Sequence, residues 1–221
     1  EAVQGCRYVL HVAAPFLMPE QIRDGRKDVV DPALEGTRTV LDSVEQAPDV
    51  ERVVLTSTVG AVFGDYADVL DVPDRTLRED QWNTTSTVAD NPYHYAKTAQ
   101  ERLAWELAGA QDRWSLVTIN PGLVLGPSLT PSSRSGSLFL MDELMKGWFF
   151  YGAPNFAFTF VDVREVALAH VRAAGSPQAH GRYILAREEM VSFLDMGRII
   201  RDRYPWQVLV PRHPVPDAAV R

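Results

Sequence analysis

Cysteine is nearly absent from this 221-residue chain: Cys6 stands alone, so no disulfide can form within it. That composition fits a reducing compartment, and a cytoplasmic location is the expectation. Cationic excess is absent too. A formal charge of −7 argues against nucleic acid and against anionic membrane as partners. No apolar run is long enough to span a bilayer, no secretory leader pattern appears, and there is no repeat or low-complexity tract. Five histidines (His11, His94, His170, His180 and His213) show no metal-ligand spacing, so no metal is expected. What is abundant is ordinary: 46% hydrophobic and 23% charged residues, enough to build a buried core without staples.

The hydrophobic pattern supplies the architecture. Gly5 to Ala14 reads as a buried strand running into a turn of small residues. A helix is predicted over roughly Val29 to Gln46, with Asp31-Pro32 near its start and Ala47-Pro48 ending it. Arg52 to Thr56 is a short β-branched strand. A helix follows from about Pro92 to Gly109, then a strand from Ser115 to Asn120 ending in Pro121-Gly122. Strands alternating with helices in this way imply βαβ units and a doubly wound α/β parallel sheet. Beyond Gly126-Pro127 the pattern loosens. A Ser/Pro/Thr stretch leads to a helix near Leu138 to Lys146 and an aromatic cluster (Trp148, Phe149, Phe150, Tyr151, Phe156, Phe158, Phe160). A helix over Val163 to Ala174, a strand at Arg182 to Leu185 and a helix after Ser192 complete the chain. The expected division is a core over 1–127 and a small substrate lobe over 128–221, with elements returning to the core.

One spacing carries chemistry. Tyr93 and Lys97 stand at i and i+4 in the predicted helix and share one face. A neighbouring ammonium stabilises a phenolate and lowers its pKa from about 10, which suits proton exchange with a carbonyl or alcohol. Alone the pair is weak, since an amphipathic helix face also produces it. Three strand ends in the right order strengthen it. Thr56-Ser57-Thr58 puts hydroxyls where open α/β sheets bind ligands. Val12-Ala13-Ala14-Pro15 and Asn120 to Pro127 end their strands with residues small enough for a flat cofactor to approach. Alternation puts Thr56 and Thr58 on one side of their strand and Ser57 on the other, with the Tyr93 helix expected on the Thr58 side unless a bulge shifts the register. Tyr95, about 200° around the helix from Tyr93, is expected to face the sheet or the lobe.

These stretches, with Asp31 to Thr37, Arg52 to Gly64, Tyr93 to Trp105, Ile119 to Pro127, Phe160 to Arg164 and Gly181 to Ile184, resemble the extended short-chain dehydrogenase/reductases. Within them the likeness is to the dihydroflavonol reductase, cinnamoyl-CoA reductase and microbial aldehyde reductase group of the NAD-dependent epimerase/dehydratase superfamily. The resemblance implies a Rossmann-like fold and NAD(P)H-dependent reduction of aldehydes or ketones. It implies Tyr93 as general acid, Lys97 lowering its pKa and binding ribose, and Thr58 orienting the carbonyl, with Ser57 second to it. Family members more often carry Ser at Thr58. Ala13, Ala14, Pro15, Thr56, Pro121, Gly122, Leu123 and Val124, together with Tyr93 and Lys97, would line the cofactor, and NADP(H) is favoured over NAD(H). The expected partner is a small carbonyl compound, apolar or aromatic in view of the aromatic cluster, with a homodimer left open. Two alternatives stand beside it: a nucleotide-sugar epimerase or dehydratase, and a non-catalytic NAD(P)-sensing protein on the same fold. The family's opening Gly-x-x-Gly-x-x-Gly turn is not found in the chain. An apolar strand ending at Ala14 would otherwise be an unpaired edge, so a further three strands upstream, about 60 to 80 residues, are expected.

Overall fold

The computed structural model describes residues 2–14, 17, 19–130, 135–155, 157–207 and 209–215. They divide into two compact units: residues 1–121 with 164–185, and residues 122–163 with 186–221.

The first unit is a four-stranded parallel sheet in the order β1 (Tyr8–His11), β2 (Arg52–Thr56), β3 (Ser115–Pro121), β7 (Gly181–Leu185). Alternation along β2 sorts its layers. Val53 and Leu55 pack with Leu41 and Val44 of α1 (Asp31–Glu45) and Ala104 of α2 (Pro92–Gly109). Val54, with Val117 and Ile119 of β3, meets Ala173 and Ala174 of α4 (Val163–Gly175) on the opposite face. This is the doubly wound α/β arrangement expected from the alternating strands and helices. Each fully buried Val or Leu contributes roughly 1.5–3 kcal/mol to this core. A π-helical turn, Arg26–Val30, leads into α1. α1 stops at the Ala47-Pro48 step, where Arg113 satisfies its terminal carbonyls: Nη2 donates to Val44 O at 2.6 Å and Nη1 to Ala47 O at 2.9 Å.

α2 departs from the usual amphipathic rule. Asn91 caps it, accepting from His94 N at 3.1 Å, and Pro92 occupies its first turn. Its buried face, however, carries Lys97, Thr98, Gln100 and Glu101 beside Ala96, Leu103 and Ala104. Burying four polar side chains on one helix is costly unless each has a partner. Such a face is a mark of a site rather than of a core.

In the second unit β4 (Leu123–Leu125) pairs in parallel with β6 (Phe160–Asp162), and β5 (Ala157–Phe158) pairs antiparallel with β8 (Val191–Ser192). These short strands are not evident in the hydrophobic pattern. α3 (Gly136–Lys146) and α5 (Phe193–Arg203) close a core of Leu144, Phe193, Met196 and Ile200. The aromatic cluster splits. Phe149, Phe158 and Phe160 pack against this core, with Phe149 and Phe193 rings 5.0 Å apart. Trp148, Phe150 and Tyr151 are exposed, and Phe156 lies outside the described residues. No described helix is long and apolar enough to cross a membrane.

Candidate active site

Lys97 is the most informative side chain. It is buried, and its Nζ donates to the main-chain oxygen of Thr56, 3.3 Å away at the C-terminal end of β2. Among the described residues this is the one acceptor within its reach, so an ammonium with three donors keeps two for something else. Burial pushes its pKa down to about 8, against the supporting charge of Glu101 one turn further along α2. Tyr93, one turn before Lys97, shares this face of α2. The sequence leads one to expect a phenol lowered by the ammonium. In the structure burial dominates and pushes Tyr93 up to about 12. A phenol held that high is fully protonated at neutral pH, the form a general acid requires.

The three hydroxyls after β2 go to three different places. Thr56 Oγ1 lies 2.6 Å from His170 Nε2, and His170 Nδ1 lies 2.8 Å from Val166 O. A carbonyl can only accept, so Nδ1 carries the proton and the Thr56 hydroxyl donates to Nε2. Thr56 therefore spends its hydroxyl on α4, and what it offers Lys97 is its carbonyl. Ser57 is buried and donates to Glu101 Oε2 at 2.5 Å, toward α2. Thr58 caps the short turn Val59–Ala61, its Oγ1 accepting from Gly60 N at 3.2 Å. Among the described residues its own proton meets only Pro121 O, at 3.5 Å. The expected phase is corrected here. Val53, Leu55 and Ser57 face α1 and α2, whereas Val54 and Thr56 face α4, so the α2 side is the Ser57 side. Thr58 stands beyond the end of the strand, where strict alternation no longer dictates its direction. Of these hydroxyls, that of Thr58 is the least committed.

Tyr95 is corrected too: it packs against the cluster of Val29, Val30, Ala33 and Ala96, not against the sheet. It also lines a cleft of about 340 Å³ with Asn83, Thr84, Ser86, Thr98, Ala99 and Arg102, which includes none of the expected site residues. Ala13 is exposed and Ala14 half-buried, just past β1. Pro15 lies outside the described residues. Pro121, buried, ends β3 in the first unit, whereas Gly122, Leu123 and Val124 open the second. Gly122 has a packing reason to be glycine: a Cβ there would sit 2.5 Å from Thr159 O, the oxygen that accepts from Leu123 N at 2.8 Å.

Two polar clusters flanking the site have no motif to announce them. In the first, Gln100 Nε2 donates to Thr37 Oγ1 at 2.8 Å, and that hydroxyl lies 3.3 Å from His11 Nε2. Burial and the charge of Lys97 both lower the His11 pKa. In the second, the fully buried Glu101 pairs with Arg182 of β7, Nε to Oε1 at 2.6 Å. Glu101 also accepts from Ser57, from Thr118 at 3.0 Å and from Asn120 at 2.8 Å. The spacing of Tyr93, Lys97 and Glu101, four residues each, is the signal from which Glu101 could have been found. Among the described residues no group of three His, Cys, Asp or Glu could hold a metal.

Comparison with known proteins identifies relatives in sequence and in structure. The chain is 34% identical over 205 residues to cinnamoyl-CoA reductase CAD2 of Medicago truncatula, covering 92% of this chain and 60% of that protein. To cinnamoyl-CoA reductase 1 of Arabidopsis thaliana it is 36% identical over 200 residues, covering 87% and 54% respectively. The crystal structure of yeast methylglyoxal/isovaleraldehyde reductase Gre2 complexed with NADPH matches with a TM-score of 0.79 and 28% identity, over 94% of this chain and 64% of that one. The chain thus spans between 54% and 60% of the length of these two plant relatives. A model of the NAD dependent epimerase/dehydratase family matches residues 1–186. With a family model matched over most of its length, this chain belongs to the NAD dependent epimerase/dehydratase family.

Proposed function

We propose that this chain carries the acid–base half of a reductase of aldehydes or ketones that uses NADPH. The carrying observation is Lys97: a buried ammonium with one acceptor among the described residues, the carbonyl at the end of a central parallel strand, and one helical turn from a protonated phenol. Its two remaining donors fit the ribose hydroxyls of a nicotinamide nucleotide, a fit that rests on the chemistry of the donor set. When bound, the nucleotide supplies hydride. Ala13, Ala14, Pro121, Gly122, Leu123 and Val124 are the further residues that would line it.

Tyr93 gives the proton to the carbonyl oxygen, and Lys97 stabilises the phenolate left behind. The Thr58 hydroxyl turns its weakly held proton to that same oxygen, orienting the carbonyl and stabilising the charge that develops on it. The relatives named as cinnamoyl-CoA reductases and the yeast aldehyde reductase, which is complexed with NADPH, support both the cofactor and a carbonyl substrate with an apolar body. The test is NADPH consumption with a panel of aromatic aldehydes, diketones and UDP-sugars. Turnover of aldehydes or ketones is expected. Turnover of UDP-sugars alone, or of nothing, would overturn the proposal.

A further inference from the structure

The buried side of α2 holds a carboxylate that the proposed chemistry does not use. Glu101 lies on the face of Tyr93 and Lys97, fully buried, and it is surrounded by donors from two strands and from the residue that follows a third. Arg182 of β7 reaches both of its oxygens. Thr118 and Asn120 of β3 donate to it, as does Ser57 just past β2. Arg182 is itself over-determined. Its Nη1 donates to Glu79 O at 2.7 Å and also to Gln81 O, its Nη2 to Ala61 O at 3.2 Å, and its guanidinium stacks 3.9 Å from the Trp82 ring.

The consequence lies at Thr58. Asn120 Nδ2 spans two acceptors, Glu101 Oε2 at 2.8 Å and the main-chain oxygen of Thr58 at 3.1 Å. Ser57, the residue before Thr58, is tied to the same carboxylate oxygen. Thr58 is therefore held from both sides by groups that converge on Glu101, while its hydroxyl proton has, among the described residues, only the long contact to Pro121 O. A buried ion pair is weak evidence for stability, since desolvation offsets much of the attraction. Fixing the backbone that presents a hydroxyl to a carbonyl is a better account of why one is kept here.

We infer that Glu101 is a positioning residue for Thr58, acting through Asn120 and Ser57 and anchored by Arg182. This rests on the reductase reading, in which the Thr58 hydroxyl orients the carbonyl. A misplacement of about 1 Å can cost on the order of 10²-fold in rate without loss of binding.

The experiment measures kcat and KM with NADPH and one good aldehyde, in the full chain, for wild type, Thr58→Ala, Glu101→Gln and Thr58→Ala/Glu101→Gln, with thermal unfolding of each. Glu101→Gln should lower kcat by roughly 10- to 100-fold and leave KM for the aldehyde within about twofold. In the Thr58→Ala background the same change should lower kcat by no more than about twofold, because the group it positions is gone. A wild-type kcat in Glu101→Gln, or an equal loss in both backgrounds, would overturn the inference. Glu101→Gln leaves Arg182 buried without its carboxylate and could unfold the chain. In that event Glu101→Gln/Arg182→Met, which removes both charges, must show the same loss and the same dependence on Thr58. Wild type without NADPH turnover would overturn the reductase reading, and this inference with it. Turnover by wild type with an indifferent Glu101→Gln overturns the inference alone.

Discussion

Replacing Lys97 with methionine should make the protein more stable at neutral pH while abolishing its proposed activity. Burial lowers the Lys97 pKa from 10.5 to about 8. At about 1.4 kcal/mol per tenfold, that difference means the fold holds the ammonium at a cost of roughly 3 kcal/mol. The sign follows from proton counting. Between about 8 and 10.5 the unfolded chain binds the proton more tightly than the folded one, so the penalty is fully present below the folded value and fades as pH rises through that window. Methionine removes the penalty, but it also removes the Nζ bond to Thr56 O, a charge-assisted bond of about 1.5–3 kcal/mol gross. The balance at pH 7 is a stabilisation of about 0–1.5 kcal/mol. By about pH 9.5 the wild type has recovered about 2 kcal/mol of its penalty and the order should reverse. Tyr93, held at about 12 against an ordinary value of 10, is present in both proteins, so its small contribution near pH 9.5 cancels in the comparison. Urea unfolding of both proteins at pH 7 and about 9.5 measures this. A variant destabilised at pH 7, or a difference that does not move with pH, would refute the reasoning.

Other outcomes follow from the same geometry. Thr58→Ala should lower kcat by about 10²- to 10³-fold and Thr58→Ser should largely preserve it, measured as NADPH turnover with one aldehyde. Ser57→Ala, which leaves Glu101 short of one donor, should cost about 1–2 kcal/mol in urea unfolding, with a smaller kinetic effect. Gly60→Ala should destabilise by about 1–3 kcal/mol, since its Cβ would lie 2.4 Å from the His94 ring, and the unfolding midpoint reads this directly.

The elements visible in the sequence were those with long, regular signals. The three helices flanking the sheet and its four parallel strands show as alternating apolar runs and 3.6-residue patterns, with Ala47-Pro48 as punctuation. The two- and three-residue strands of the second unit do not, because no periodicity fits in so short a span. Among the site residues, Tyr93 and Lys97 are legible from one spacing on one helix. Alternation puts Thr56 and Ser57 on opposite sides of their strand, as the structure has them, but it does not say which side α2 covers. Only the packing of Val53 and Leu55 against α1 and α2, and of Val54 against α4, fixes that. The raised pKa of Tyr93 was equally hidden, since burial depends on residues far away in sequence. Arg182 meets Glu101 across 81 residues, a pairing that no local pattern announces.

The most direct test of the account is the turnover of Tyr93→Phe with NADPH and an aldehyde, set beside Tyr95→Phe. Tyr93 shares its helix face with Lys97, whereas Tyr95 packs against Val29 and Val30. Loss of a general acid costs about 10²- to 10⁴-fold. The account predicts a loss of kcat in that range for Tyr93→Phe, with the fold retained, and a near-normal Tyr95→Phe. A Tyr93→Phe enzyme that turns over at the wild-type rate would contradict it.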